Sequence, residues 1–187
     1  MHNLKELQMA TNRKKIDKII TATGVLLTIL LVVIGGLSWW AYSFINSNVQ
    51  SELASQKIYF PSIGNPQLKN PLIGPYLTKY AGQELLTGPE AKAYADHYIA
   101  VHLSEIANGQ TYAQVSSEAQ NNPSNLKLKA EAQTLFQGET LRGLLLGDAY
   151  AFSTIASIAQ IVAIVCFAGG AILVILVIMG LWHISTL

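Results

Sequence analysis

Two stretches of this chain are apolar at nearly every position, and the residues between them alternate short amphipathic runs with breakers. Ile19 to Ser51 and Ala149 to Leu187 contain no Asp, Glu, Lys or Arg. Ile19 to Trp40 is 22 residues; as a helix it covers about 33 Å, against a hydrocarbon core of about 30 Å. This predicts a first transmembrane helix over 19–40. Trp39, Trp40 and Tyr42 close one end with rings suited to headgroup level, and Arg13, Lys14, Lys15 and Lys18 flank the other, the side that stays cytoplasmic. A cleavable signal has an apolar region of only about 7 to 15 residues, so an uncleaved anchor is expected. The second stretch, Ala149 through Trp182, is 34 residues and too long for one perpendicular crossing. Its mixed beginning (Tyr150, Ser153, Thr154, Ser157, Gln160) predicts turns lying in the interface or on protein, with the crossing densest over Ile161 to Trp182.

The segment between the spans carries the other elements. Tyr59 to Pro75 holds Pro61, Pro66, Pro71 and Pro75, a density that removes donors, restricts each preceding residue and predicts an extended strap. Ile58, Tyr59, Phe60, Leu68, Leu72 and Ile73 are its expected anchors. Thr87-Gly88-Pro89-Glu90 has the form of a capping box and Asn108-Gly109 that of a stop, predicting a helix from Pro89 to Ala107. Thr111 to Gln114 repeats the capping pattern, for a shorter helix to about Gln120. After the breaker Asn121 to Asn125 a third helix is expected near Leu126, running toward the second span with no clear stop. The fold class is therefore an all-α membrane protein, two transmembrane helices with a mainly helical extracytoplasmic domain and a Pro-rich extended strap. The divisions are a basic cytoplasmic N-terminus 1–18, transmembrane helix 19–40, extracytoplasmic domain 41–148, interfacial start and second transmembrane helix 149–182, and cytoplasmic C-terminus 183–187.

Composition sharpens this. Of the 187 residues, 51% are hydrophobic and 12% charged, with a net charge of +1, whereas a soluble domain is nearer about 25% charged. A soluble enzyme and a nucleic-acid binder are disfavoured; membrane lipid is an expected partner of the spans and of the basic cluster. The single Cys166 excludes an intramolecular disulfide and reads as a small apolar residue.

Candidate chemistry is sparse. Asp96, His97, His102 and Glu105 form one polar cluster, but His97 and His102 are five apart, about 140° around an α-helix, which argues against a shared metal ion. Hydrogen bonding to a neighbouring segment is the expected use of these rings. Glu139 and Arg142 place opposite charges three apart just before the second span, a pair that can fix helix orientation or meet a partner subunit, and with the Pro-rich strap they are expected partner contacts. Gly143, Gly147 and Ala151 form a small-residue stripe that suits close helix approach to a partner, and Gly35-Gly36 with Gly169-Gly170 can pack the two spans together. No catalytic residue set, cofactor motif or metal site is legible, and no ionisable side chain other than Cys166 lies within the spans, which disfavours transport.

Tyr94-Ala95-Asp96-His97-Tyr98-Ile99-Ala100-Val101-His102-Leu103-Ser104-Glu105, Gly138-Glu139-Thr140-Leu141-Arg142-Gly143-Leu144-Leu145-Leu146 and Ala149-Tyr150-Ala151-Phe152 resemble a group of small actinobacterial two-span membrane proteins over roughly Tyr59 to Ile161. Some members of that group carry a label likening them to aromatic ring-opening dioxygenases, for which the His spacing here supplies no iron site. The resemblance implies a bacterial plasma membrane and, by analogy with accessory subunits of respiratory supercomplexes, other membrane-protein subunits as partners. The expected function is a non-catalytic accessory or assembly subunit. The alternative is a homo-oligomeric small channel or envelope sensor, and a metal-dependent enzyme using His97, His102 and Glu105 is the third.

Overall fold

The computed structural model describes residues 2–186, with side chains from residue 12 onward. Met1 and Leu187, the outermost residues of the segments assigned above to the cytoplasm, lie outside the described residues. Among the described residues the chain is all-helical, and an isolated bridge pairs Tyr59 with Glu84. The α-helices are α1 (His2–Gln56), α2 (Gly74–Leu77), α3 (Gly88–Tyr94), α4 (Ala100–Ile106), α5 (Tyr112–Asn121), α6 (Leu126–Leu144) and α7 (Ala151–Thr186). A π turn, Ala95–Ile99, joins α3 to α4, and a second, Leu145–Tyr150, joins α6 to α7. Two helical stretches, Asn12–Gln56 and Leu126–Thr186, are long and apolar enough to cross a membrane. The chain divides into two units, Met1–Tyr42 with Ser157–Leu187, and Ser43–Ala156.

In the first unit α1 and α7 run antiparallel. A Cβ added at Gly180 would stand 2.8 Å from Thr21 Oγ1, and one at Gly35 would stand 2.9 Å from Phe167. Gly169 and Gly170 face Leu31. The two helices thus approach through their glycines, as small residues allow where lipid supplies no hydrophobic drive. The outward surface is apolar: Leu26 is 67% and Ile161 61% exposed. Water does not tolerate so continuous an apolar surface, while hydrocarbon does.

The second unit begins on α1, which does not stop at Trp40 but continues to Gln56. Neither Gly nor Pro interrupts residues 41–56, and Ile45, Val49 and Leu53, spaced by four, place one apolar stripe against this unit's core. The helix ends where Lys57 takes the left-handed conformation, φ 52°. The Pro-rich segment that follows is not extended throughout. It folds into a 3₁₀ turn, Pro66–Lys69, then α2, then a second 3₁₀ turn, Thr78–Tyr80. Pro66 and Pro75 occupy first-turn positions, where a missing N–H leaves no bond unmade. Phe60 and Ile73 are buried as expected, whereas Tyr59 and Leu72 are 57% and 61% exposed and are not anchors.

The remaining helices start where their caps require. Thr87 and Glu90 form the capping box of α3, Thr111 and Gln114 that of α5, and the Asn125 side chain accepts from Leu128 N–H at the start of α6. Leu77, Leu85, Val115, Leu135 and Leu145 are almost wholly buried in one core. Close approach is built in at two glycines: a Cβ at Gly88 would overlap Ser153, and one at Gly138 would overlap the Leu103 side chain. The start of α7 therefore lies on protein, its buried Ser153 against the first turn of α3.

Candidate functional site

The polar residues of the α3–α4 helix meet the Pro-rich segment side chain by side chain. His102 Nδ1 stands 2.7 Å from the Tyr98 carbonyl oxygen, which can only accept, so this nitrogen carries the proton. Nε2 is then an acceptor and faces the Gln67 amide nitrogen at 3.0 Å, while the Gln67 carbonyl oxygen accepts from the Tyr98 hydroxyl at 2.7 Å. Both ring nitrogens are engaged. Asn70 donates to Glu105 at 3.3 Å, and the His97 ring stacks on Tyr76 with centroids 3.5 Å apart and planes 2° from parallel.

Both imidazoles thus meet one neighbouring segment, which the α-helical spacing above does not anticipate. The π turn is the reason: its wider i→i+5 turn lets residues five apart come nearer one face than they do on an α-helix. Among the described residues no group of three His, Cys, Asp or Glu side chains stands close enough to hold a metal ion. His97, His102 and Glu105 form a seam between helix and segment, with partners 21 to 35 residues away in sequence.

Asp96 belongs to a different group. Lys92 pairs with it at 2.5 Å on the same helix, Arg142 reaches it from α6 at 3.5 Å, and Arg142 also pairs with Glu139 at 3.3 Å. The Lys92 ammonium lies 5.2 Å from the centre of the Tyr150 ring, a cation–π contact to the second π turn. Glu139 and Arg142 are therefore not an isolated surface pair but the end of a four-residue chain binding both π turns to α6. Burial raises the pKa of the Asp96 carboxyl, but the bond and charge of Lys92, with Arg142 behind them, outweigh it and hold the carboxyl below its usual range. The same bond to Asp96 raises Lys92. Nearby, burial and then the Tyr98 charge push the Tyr94 hydroxyl up to about 12. Lys92, Gln67, Asn70 and Tyr76 take part in most of these contacts; the four-residue spacing of Lys92 and Asp96 is a local signal for their pair, whereas no local pattern marks Gln67, Asn70 or Tyr76.

The small-residue stripe points elsewhere. A Cβ at Gly143 or Gly147 would meet no atom within 4 Å, and Gly143, Gly147 and Ala151 are all exposed. In contrast with Gly88 and Gly138, these positions serve no packing within the chain. Cys166 is buried in the first unit and free. The geometry thus shows one internal seam, one internal ion chain and one small-residue face without an internal neighbour. No protein-family model, curated protein or solved structure matches the chain.

Proposed function

We propose that this chain is a non-catalytic accessory or assembly subunit of a bacterial plasma-membrane protein complex, a respiratory complex being the specific candidate. On this reading both termini lie in the cytoplasm, held there by Arg13, Lys14, Lys15 and Lys18, and residues 41–148 are extracytoplasmic. One observation carries the reading. Asp96, His97, His102 and Glu105 are engaged in holding the chain to itself, while Gly143, Gly147 and Ala151 offer an exposed small-residue face beside the second span. Such a face admits the backbone of another helix.

The test is mild-detergent extraction of the tagged chain from its native membrane, native-gel sizing, and mass spectrometry of what co-migrates. A large assembly with named subunits in fixed ratio is the expected result. A small symmetric oligomer of this chain alone would overturn it in favour of the homo-oligomeric channel or sensor, since the same face can pair two copies.

A further inference from the structure

The residues that end α4 carry a chemistry of their own. Asn108 is the one Asn in the chain that Gly follows. A glycine nitrogen, with no Cβ beside it, is the backbone nitrogen least hindered in attacking the side-chain amide of the residue before it. Asn108 and Gly109 are both exposed, so water reaches the pair.

The fold holds this pair in a form that does not cyclise. Asn108 is left-handed, φ 49°, and Gly109 follows at φ 80°. A left-handed residue has ψ of about +47°, which sets Cβ and the next nitrogen on opposite sides of the Cα–C bond, whereas ring closure needs them on the same side. The nitrogen is also occupied. Gly109 N–H donates to the Ser104 carbonyl oxygen at 2.9 Å, the bond by which a left-handed residue closes a helix. Both locks belong to the last turn of α4, and local opening of such an end costs less than unfolding the whole.

We propose that Asn108-Gly109 is a site of spontaneous deamidation gated by opening of the last turn of α4. In the open state the Gly109 nitrogen gives its proton to water and bonds to Asn108 Cγ. The Cγ–Nδ2 bond breaks, and the amide nitrogen takes a proton from water and leaves as ammonia. Water then opens the cyclic imide at either carbonyl, leaving aspartate or isoaspartate, so the sum is amide plus water to carboxylate plus ammonium. Either product works against the cap that had protected the pair. A carboxylate at the C-terminus of α4 opposes the helix dipole, and an isoaspartyl bond adds a methylene to the main chain, which moves Gly109 N–H off the Ser104 oxygen. Glu105, which accepts from Asn70 of the Pro-rich segment, stands in the same turn, so conversion at residue 108 loosens one end of the seam.

The full-length protein in detergent and the same protein unfolded in guanidinium are incubated at one pH and temperature. The tryptic peptide from residue 93 to residue 127 is then followed by mass spectrometry, with fragmentation to place the gain of mass. Conversion at residue 108 is expected in the unfolded chain, and about ten-fold or more slower in the folded protein. A smaller ratio would overturn the gate, and an unfolded chain that converts first at another residue of this peptide would overturn the site. Asn108→Gly keeps a residue suited to the left-handed cap and removes the amide, so its peptide should gain no mass over the same period. A gain persisting at the original rate would place the reaction at Asn121, Asn122 or Asn125 instead. Hydrogen exchange at the Gly109 amide of the unsubstituted protein reads the opening itself: denaturant below the unfolding midpoint should raise exchange and conversion in proportion, and exchange that rises without conversion would overturn the gate.

Discussion

Gly138 and Gly143 lie on one helix five residues apart and differ in what surrounds them. A methyl at Gly138 runs into Leu103, while one at Gly143 meets nothing. Gly138→Ala should therefore lower the stability of the purified chain by about 1 to 3 kcal/mol, the usual result of overpacking. Gly143→Ala should raise it by as much as about 1 kcal/mol, the helix-propensity difference; thermal melts of the two variants in one detergent read both signs. Two ionisations couple folding to pH. Asp96 has a folded pKa below its ordinary 3.8, so its contribution is complete above that value and is lost as pH falls through the lower folded one. Acid unfolding should be shallower in Asp96→Asn, which has no such proton to take up. Tyr94, raised from 10 to about 12, contributes fully below pH 10, and that contribution is lost as pH rises toward 12. Phenolate absorbance should show one tyrosine ionising together with alkaline unfolding, and Tyr94→Phe should remove that step.

At the scale of elements, the seam is the part most open to test. His102 holds the Pro-rich segment through Gln67, so His102→Ala should free the backbone around Lys69 and Lys79. Limited trypsin digestion should then cut there several-fold faster, with Lys127 and Lys129 as internal controls; unchanged cleavage would show that Phe60 and Ile73 hold the segment without the polar bonds. Deleting one residue of Ala95–Ile99 should do more, because restoring a regular α-helix turns all of α4 by about 100° and moves His102 and Glu105 off Gln67 and Asn70 together. Local signals placed most of the helix starts. Thr87, Thr111 and Asn125 cap helices because their side chains need only residues two or three ahead. The extension of α1 to Gln56 was not anticipated, although Ile45, Val49 and Leu53 carry the four-residue spacing that marks it. The π turns were not legible, since each packs on elements distant in sequence: α3 lies on Leu145–Tyr150, and α6 on Ala95–Ile99. Nor was the pairing of Asp96 with Arg142, 46 residues away. Spacing arguments that assume an α-helix throughout fail at such turns, and the relation of His97 to His102 is the instance here.

For the whole molecule, what matters is which features are used within the chain and which are not. Gly88 and Gly138 are compensated by the close contacts they permit, and Gly35 and Gly180 by the approach of α1 to α7. Gly143 and Gly147 each cost about 1 kcal/mol of helix stability and receive no internal contact in return. If that face seats a helix of another subunit, stability and assembly must respond to one substitution with opposite signs. Gly147→Leu should leave the isolated chain as stable or more so, because leucine is the better helix former and the position is open. In the native membrane the same variant should lose its co-migrating partners about ten-fold or more, since a side chain at a glycine contact holds the two backbones apart. Loss of both stability and partners would place Gly147 in the internal fold, contrary to the open space around it. Gain of stability with assembly unchanged would remove the small-residue face from the interface.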